Sequence, residues 1–171
     1  MPPVIGHRNL PDALLRARES VMRYFRPNLK VAGVTEQQWR VIRVLSDRGE
    51  LEVGQIAAAA CIPGPSLTGV LERMERDDWV RRFRISTDQR KVIVELTPKA
   101  RRLVQRMLGR IDERYRAIEA QLGPQALDAL HALLEQVAAL PDPAAPAPVK
   151  LPVRRKPAAK APDGPAVTDA A

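Results

Sequence analysis

The sequence predicts a mainly α-helical fold carrying one small β-hairpin. Three observations predict it. Apolar residues recur at three- and four-residue spacings through most of residues 10–140. Two-residue alternation is confined to residues 80–96. Proline, glycine and capping residues punctuate the chain between these runs.

The first helix is predicted from Pro11 to Arg26. Leu10, Leu14, Ala17, Val21 and Phe25 form its stripe, Leu15 and Met22 widen it, and Pro27 stops it. Thr35-Glu36-Gln37-Gln38 has the form of a capping box, so a second helix starts there, turns Trp39, Val41, Ile42 and Leu45 inward, and ends near Gly49. Leu51-Glu52-Val53 is a short extended piece. Val53 to Ala60 makes a small helix whose alanines let neighbours approach closely, and Cys61-Ile62-Pro63-Gly64 is a turn. Pro65 or Ser66 opens a fourth helix with Leu67, Val70, Leu71 and Met74 inward. It ends at Asp77-Asp78, where Asp takes the left-handed conformation.

Val80 to Ile85 reads as a strand alternating apolar with basic residues after Arg81. Ser86 to Arg90 is its turn, and Lys91 to Leu96 returns with Val92, Val94 and Leu96 on one face. Thr97-Pro98 is an N-cap followed by proline at the first helical position. The helix behind it, Pro98 to Leu122, carries Leu103, Met107, Ile111, Tyr115, Ile118 and Leu122. That stripe is longer than a small core requires, so part of it is expected to meet a partner. Gly123-Pro124 breaks the chain before a last helix, Pro124 to Leu140, with Leu127, Leu130, Leu134 and Val137. Residues 8–140 therefore read as one folded domain. Pro141 to Ala171 hold 8 prolines and 9 alanines and no aromatic residue. Such a segment buries too little surface to offset its ordering entropy, and is expected to be a disordered tail with a basic cluster at Arg154-Arg155-Lys156.

Composition narrows the function classes. At 171 residues and 45% hydrophobic, the chain supports a globular core, and no run reaches the ~20 apolar residues of a membrane span. The start, Met1-Pro2-Pro3-Val4-Ile5, lacks the pattern of a secretory signal, so a cytoplasmic protein is expected. One cysteine, Cys61, excludes an internal disulfide framework; it is read as a small buried filler. His7 and His131 stand far apart, so no metal or other cofactor is expected. No phosphate loop or nucleophile–histidine set is present, so an enzyme is not expected. The net charge of +8 favours polyanions, nucleic acid before an anionic membrane surface.

Two short helices joined by a tight turn, followed by a basic hairpin, have the order of a winged helix-turn-helix. A helix fits the major groove, and an arginine-rich hairpin can lie over phosphates or enter a narrow minor groove. The fourth helix turns Ser66, Thr68, Gly69, Arg73 and Arg76 outward behind Pro65; a solvated face is the plain alternative, since Glu72, Glu75, Asp77 and Asp78 dilute its charge. The hairpin decides it. Arg81, Arg82, Arg84, Arg90 and Lys91 oppose one acid, Asp88, which is placed to hold Arg90.

Asp88-x-Arg90-x-x-x-Val94-x-Leu96-Thr97 resembles the wing signature of the MarR family of bacterial transcription regulators. Pro65-Ser66-Leu67-Thr68-Gly69-Val70-Leu71-Glu72-Arg73-Met74-Glu75 resembles that family's recognition helix. Further stretches, among them Tyr24-Phe25-Arg26-Pro27 and Thr35-Glu36-Gln37-Gln38-Trp39-Arg40, are similar to a subgroup that represses operons degrading homoprotocatechuate or 4-hydroxyphenylacetate. The chain departs from the family at Asp78, where most members have glycine, and in its proline-rich tail.

The resemblance implies a homodimer interlocked through the first and last two helices, a pseudo-palindromic double-stranded operator and release by a small aromatic carboxylate. It implies a recognition helix at about 64–77 and a wing at about 79–96. The expected DNA contacts are Pro65, Ser66, Thr68, Gly69 and Arg73 on the helix and Arg84, Asp88, Arg90 and Lys91 on the wing. For the effector, Trp39 and Tyr24 are candidate aromatic walls and Arg16, Arg18, Arg40 and Arg43 candidate cations, with Arg16 and Trp39 favoured. Two other readings stay open at this stage. One is a protein that compacts DNA without sequence preference. The other is a small enzyme or ligand-binding helical domain whose basicity is incidental.

Overall fold

The computed structural model describes residues 8–85 and 88–141, with backbone alone for Ile85 and Asp88–Arg90. The expected tail and the hairpin tip at 86–87 lie outside the described residues. The chain divides into two units, residues 1–132 and residues 133–171. In order, the elements are α1 (Leu10–Ala32), α2 (Glu36–Arg48), β1 (Leu51–Glu52), α3 (Val53–Ala59), α4 (Gly64–Arg76), β2 (Val80–Ile85), β3 (Asp88–Leu96), α5 (Pro98–Leu122) and α6 (Pro124–Ala138). Helix α6 straddles the division.

α1 corrects the expected boundary at Arg26. Pro27 lies inside the helix, which runs on to Gly33. Proline has no N–H to give the Arg23 carbonyl, a cost the next turn offsets by burying Leu29. Gly33 then closes the helix in the left-handed conformation at φ 71°. Its N–H donates to Lys30 O and that of Val34 to Leu29 O, both at 3.1 Å. Met22 and Phe25 pack against the core, while the first turns of the α1 stripe stay open, with Leu10 and Leu15 more than half exposed in the single chain.

The capping box of α2 forms as the sequence implies. Gln38 N–H donates to Thr35 Oγ1 at 3.2 Å, and Thr35 N–H donates to Gln38 Oε1 at 2.8 Å. α4 begins at Gly64, slightly before the expected Pro65, and Asp78 adopts φ 58° after its end. Cys61 is corrected. It is exposed at φ 49° in the turn, because Ile62 turns inward in its place.

β1, β3 and β2 form an antiparallel sheet in that order. Leu51 pairs with Val94 and Glu52 with Ile93; Val80 pairs with Leu96 and Arg82 with Val94. β3 starts at Asp88, three residues before the expected strand. The face of β2 is also corrected. Val80, across from Leu96, is buried, and Arg82 on the same face is half-buried, whereas Phe83 is exposed. The core collects Ile42, Ile56, Leu67, Leu71 and Met74, each essentially without exposure. Burial of such a side chain is worth about 1.5–3 kcal/mol, so α4 is anchored by its whole inner face. α5 packs its buried Leu103, Met107 and Ile111 into this core. α6 buries none of its residues; Leu133 and Leu140 are well exposed. No helix among the described residues is long and apolar enough to cross a membrane.

Candidate nucleic-acid interface

α4 has a fully apolar inner face, so its outer face is free for recognition. Pro65, Ser66, Thr68 and Arg73 are exposed, and Gly69 is half-buried between them. Thr68 Oγ1 donates to Gly64 O at 3.3 Å, leaving its oxygen lone pairs outward. A Cβ at Gly69 would lie 3.5 Å from Arg73 Nη1, so this guanidinium rests beside the glycine one turn back. Arg73, Arg81 and Arg84 are exposed and form no ion pair among the described residues. Arg76 is paired with Asp77 at 3.0 Å.

The strand carrying the wing cations is clasped to α4. Arg82 Nε donates to Glu75 Oε2 at 2.7 Å, Arg82 Nη2 donates to the same oxygen, and the Arg82 backbone N–H donates to Glu75 Oε1 at 3.3 Å. Arg82 is therefore a positioning residue. The sequence signal for this was available: two-residue alternation puts Arg82 on the face of buried Val80, and an inward arginine needs a carboxylate. Lys91 Nζ reaches Glu52 Oε1 at 2.9 Å, tying β3 to β1. The side chains of Asp88 and Arg90 lie outside the described residues.

Arg82 holds the Glu75 carboxyl below its ordinary value of 4.5, mainly by the side-chain hydrogen bond. A depressed carboxylate contributes stability that is present above its unfolded pKa and lost as pH falls through the folded one. Glu75→Gln should therefore be less stable than the native chain near neutrality, and the difference should vanish well below pH 4.5. Urea midpoints of both proteins at neutral and acid pH check this.

A third feature borders the turn between α3 and α4. Arg18, Trp39, Arg40, Arg43, Val44 and the Ala59–Cys61 turn line a cavity of about 580 Å³. Its cations differ in availability. Arg18 is paired with Glu19 at 2.9 Å and Glu36 at 2.7 Å. Arg40 Nη1 donates to Ala60 O at 2.8 Å and Cys61 O at 3.2 Å. Among the described residues, Arg43 meets only Asp47, at 3.5 Å. Arg16 and Trp39 are not brought together. Arg16 is exposed, pairs with Asp12 at 3.0 Å, and does not line this cavity. Tyr24 lines a different one, with Arg23, Pro27 and Arg114.

The MarR family profile matches residues 34–92, from the start of α2 to the wing. The homoprotocatechuate degradative operon repressor of Escherichia coli is 46% identical over 134 residues, 78% of this chain and 90% of that protein. The chain belongs to the MarR family. Among solved structures, the transcriptional regulator PA4135 superimposes with a TM-score of 0.77 at 44% identity, over 80% of this chain and 100% of that one. NadR in complex with 4-hydroxyphenylacetate gives a TM-score of 0.72 at 41% identity, over 82% of this chain and 100% of that one. The fold is that of the MarR winged helix regulators, with a small three-stranded antiparallel sheet beside the helices.

Proposed function

We propose that this MarR protein is a homodimeric, sequence-specific repressor of an aromatic-acid catabolic operon. One observation carries the reading. The outer face of α4 and the basic strand β2 are fixed to each other by the Glu75–Arg82 clasp, so one rigid lobe offers both a groove-sized helix and a phosphate-binding hairpin. Kinship with an operon repressor favours this over unselective DNA compaction.

Pro65 and Ser66 sit at the start of α4, where backbone N–H groups favour phosphate. Thr68 and Arg73 reach base edges, with Gly69 permitting close approach. Arg84, Lys91 and an Asp88-held Arg90 serve the flanking backbone. Dimer symmetry makes the operator a pseudo-palindrome, with half-sites about one helical turn (~10 bp) apart. The exposed apolar residues of α1 and α5 supply dimer surface. The effector is a small aromatic carboxylate, with its ring against Trp39 and its charge on Arg43, the cavity cation with the weakest prior commitment.

DNase footprinting of the DNA upstream of the gene tests the DNA reading. A symmetric protected site supports it, and protection of any duplex alike contradicts it. Arg90→Ala should weaken binding to operator and random DNA together and lower the slope of log affinity against log salt by about one unit. Equilibrium titrations at several salt concentrations measure that slope.

A further inference from the structure

A second cavity, of about 230 Å³, opens between the C-terminal turns of α1 and the first half of α5. It shares no residue with the Trp39 cavity. Its apolar floor is Leu103 and Met107, each only 4% exposed, with Val31 at the rim. Two features are unexpected in a plain packing defect.

The first is Asn28, 8% exposed on this lining. A buried amide is costly unless its polar atoms are satisfied. Asn28 Nδ2 donates to the backbone carbonyl of Arg110 at 3.4 Å. That bond occupies the amide nitrogen, and Oδ1, which has no protein partner among the described residues, keeps contact with solvent and is an accessible acceptor on the lining. The second is Arg106 and Arg110, one turn apart on α5, exposed and without an ion pair among the described residues. Like charges at this spacing repel across the helix surface. An anion between them removes the repulsion.

We propose that this cavity is a second small-molecule site, built for a hydroxylated carboxylate of about single-ring size. The carboxylate lies between Arg106 and Arg110, the apolar body covers Leu103 and Met107, and the hydroxyl donates to Asn28 Oδ1. The proposal does not rest on the effector reading of the Trp39 cavity.

Met107 supplies the probe, being one of only four methionines. Full-length protein labelled with 13C at the methionine methyls, with Met107→Leu to assign the signal, is titrated with 4-hydroxyphenylacetate, phenylacetate and 4-hydroxyphenylethanol. The Met107 signal should shift saturably with the first. The second, which lacks the hydroxyl, should need about tenfold more ligand, the worth of one lost hydrogen bond, and the third, which lacks the carboxylate, should leave the signal still. Arg106→Ala with Arg110→Ala should abolish the shift, and Asn28→Leu should make the two acids equal. If Asn28→Leu fails to fold, the comparison of the two acids on the native chain carries the role of Asn28.

A Met107 signal that stays still at millimolar acid, or moves unchanged in the double arginine variant, overturns the site. Equal response to both acids on the native chain overturns the role of Asn28. Operator release with Met107 unmoved refutes this site and leaves the repressor reading standing. A Met107 shift without release does the reverse.

Discussion

Replacing Leu67 with alanine is expected to lower the stability of the folded chain by about 2–5 kcal/mol. Leu67 has no exposed surface and sits one turn into α4, among the largest fully buried side chains. The substitution removes the transfer energy of the lost methyl groups and leaves a void. The void cannot close freely, because α4 is held on the same face by Val70, Leu71 and Met74. For a chain of this size the midpoint should fall by roughly 4–20 °C. Operator affinity should fall as well, because the helix that carries Thr68 and Arg73 loses its seat. Thermal denaturation by circular dichroism measures the first effect. Thr68→Ala is the control: its side chain is exposed, so it should melt within about 0.5 kcal/mol of the native protein while altering which bases are preferred.

The second large effect concerns release. Trp39→Ala should leave operator binding near its native value but raise the concentration of 4-hydroxyphenylacetate needed for release at least tenfold, on the order of 1.4 kcal/mol of lost ligand contact. Arg43→Ala should do the same through loss of the carboxylate's partner. A ligand shifts the dimer only by its differential affinity for the two states, so both losses must appear in release and not in basal DNA affinity. Arg16→Ala is the informative comparison. With its guanidinium on Asp12 and away from the Trp39 cavity, it should release DNA at the native ligand concentration. A shifted Arg16 variant beside unshifted Trp39 and Arg43 variants would move the effector site out of this cavity. Competition titrations against the preformed protein–DNA complex supply all three values.

Much of the fold was legible because local chemistry and global packing agree. Thr35 with Gln38, and Thr97 with Pro98, mark helix starts that form where expected. The inner face of α4, Leu67, Val70, Leu71 and Met74, was readable from its spacing alone. The failures have physical causes. Pro27 ends a helix only where nothing beyond it is worth burying, and here Leu29 is. Cys61 is an apolar residue type by habit, yet its left-handed turn position leaves it outside. The Trp39 cavity joins α1, α2 and the turn after α3, elements whose meeting no local pattern encodes, so its cations could not be ranked before their partners were known. Glu75 and Arg82 stood in the charge count as one diluting acid and one wing cation. Alternation along β2 turns Arg82 inward, but only the packing of β2 against α4 shows that Glu75 is the carboxylate it meets.

A repressor of this kind holds its operator tightly until an aromatic acid appears. A gel mobility shift on the DNA upstream of the gene, with and without 4-hydroxyphenylacetate, tests it most directly. A single retarded complex is expected, one that survives excess random DNA and dissolves as the acid is added. A complex that random DNA removes equally well, or one that persists at saturating acid, would contradict it.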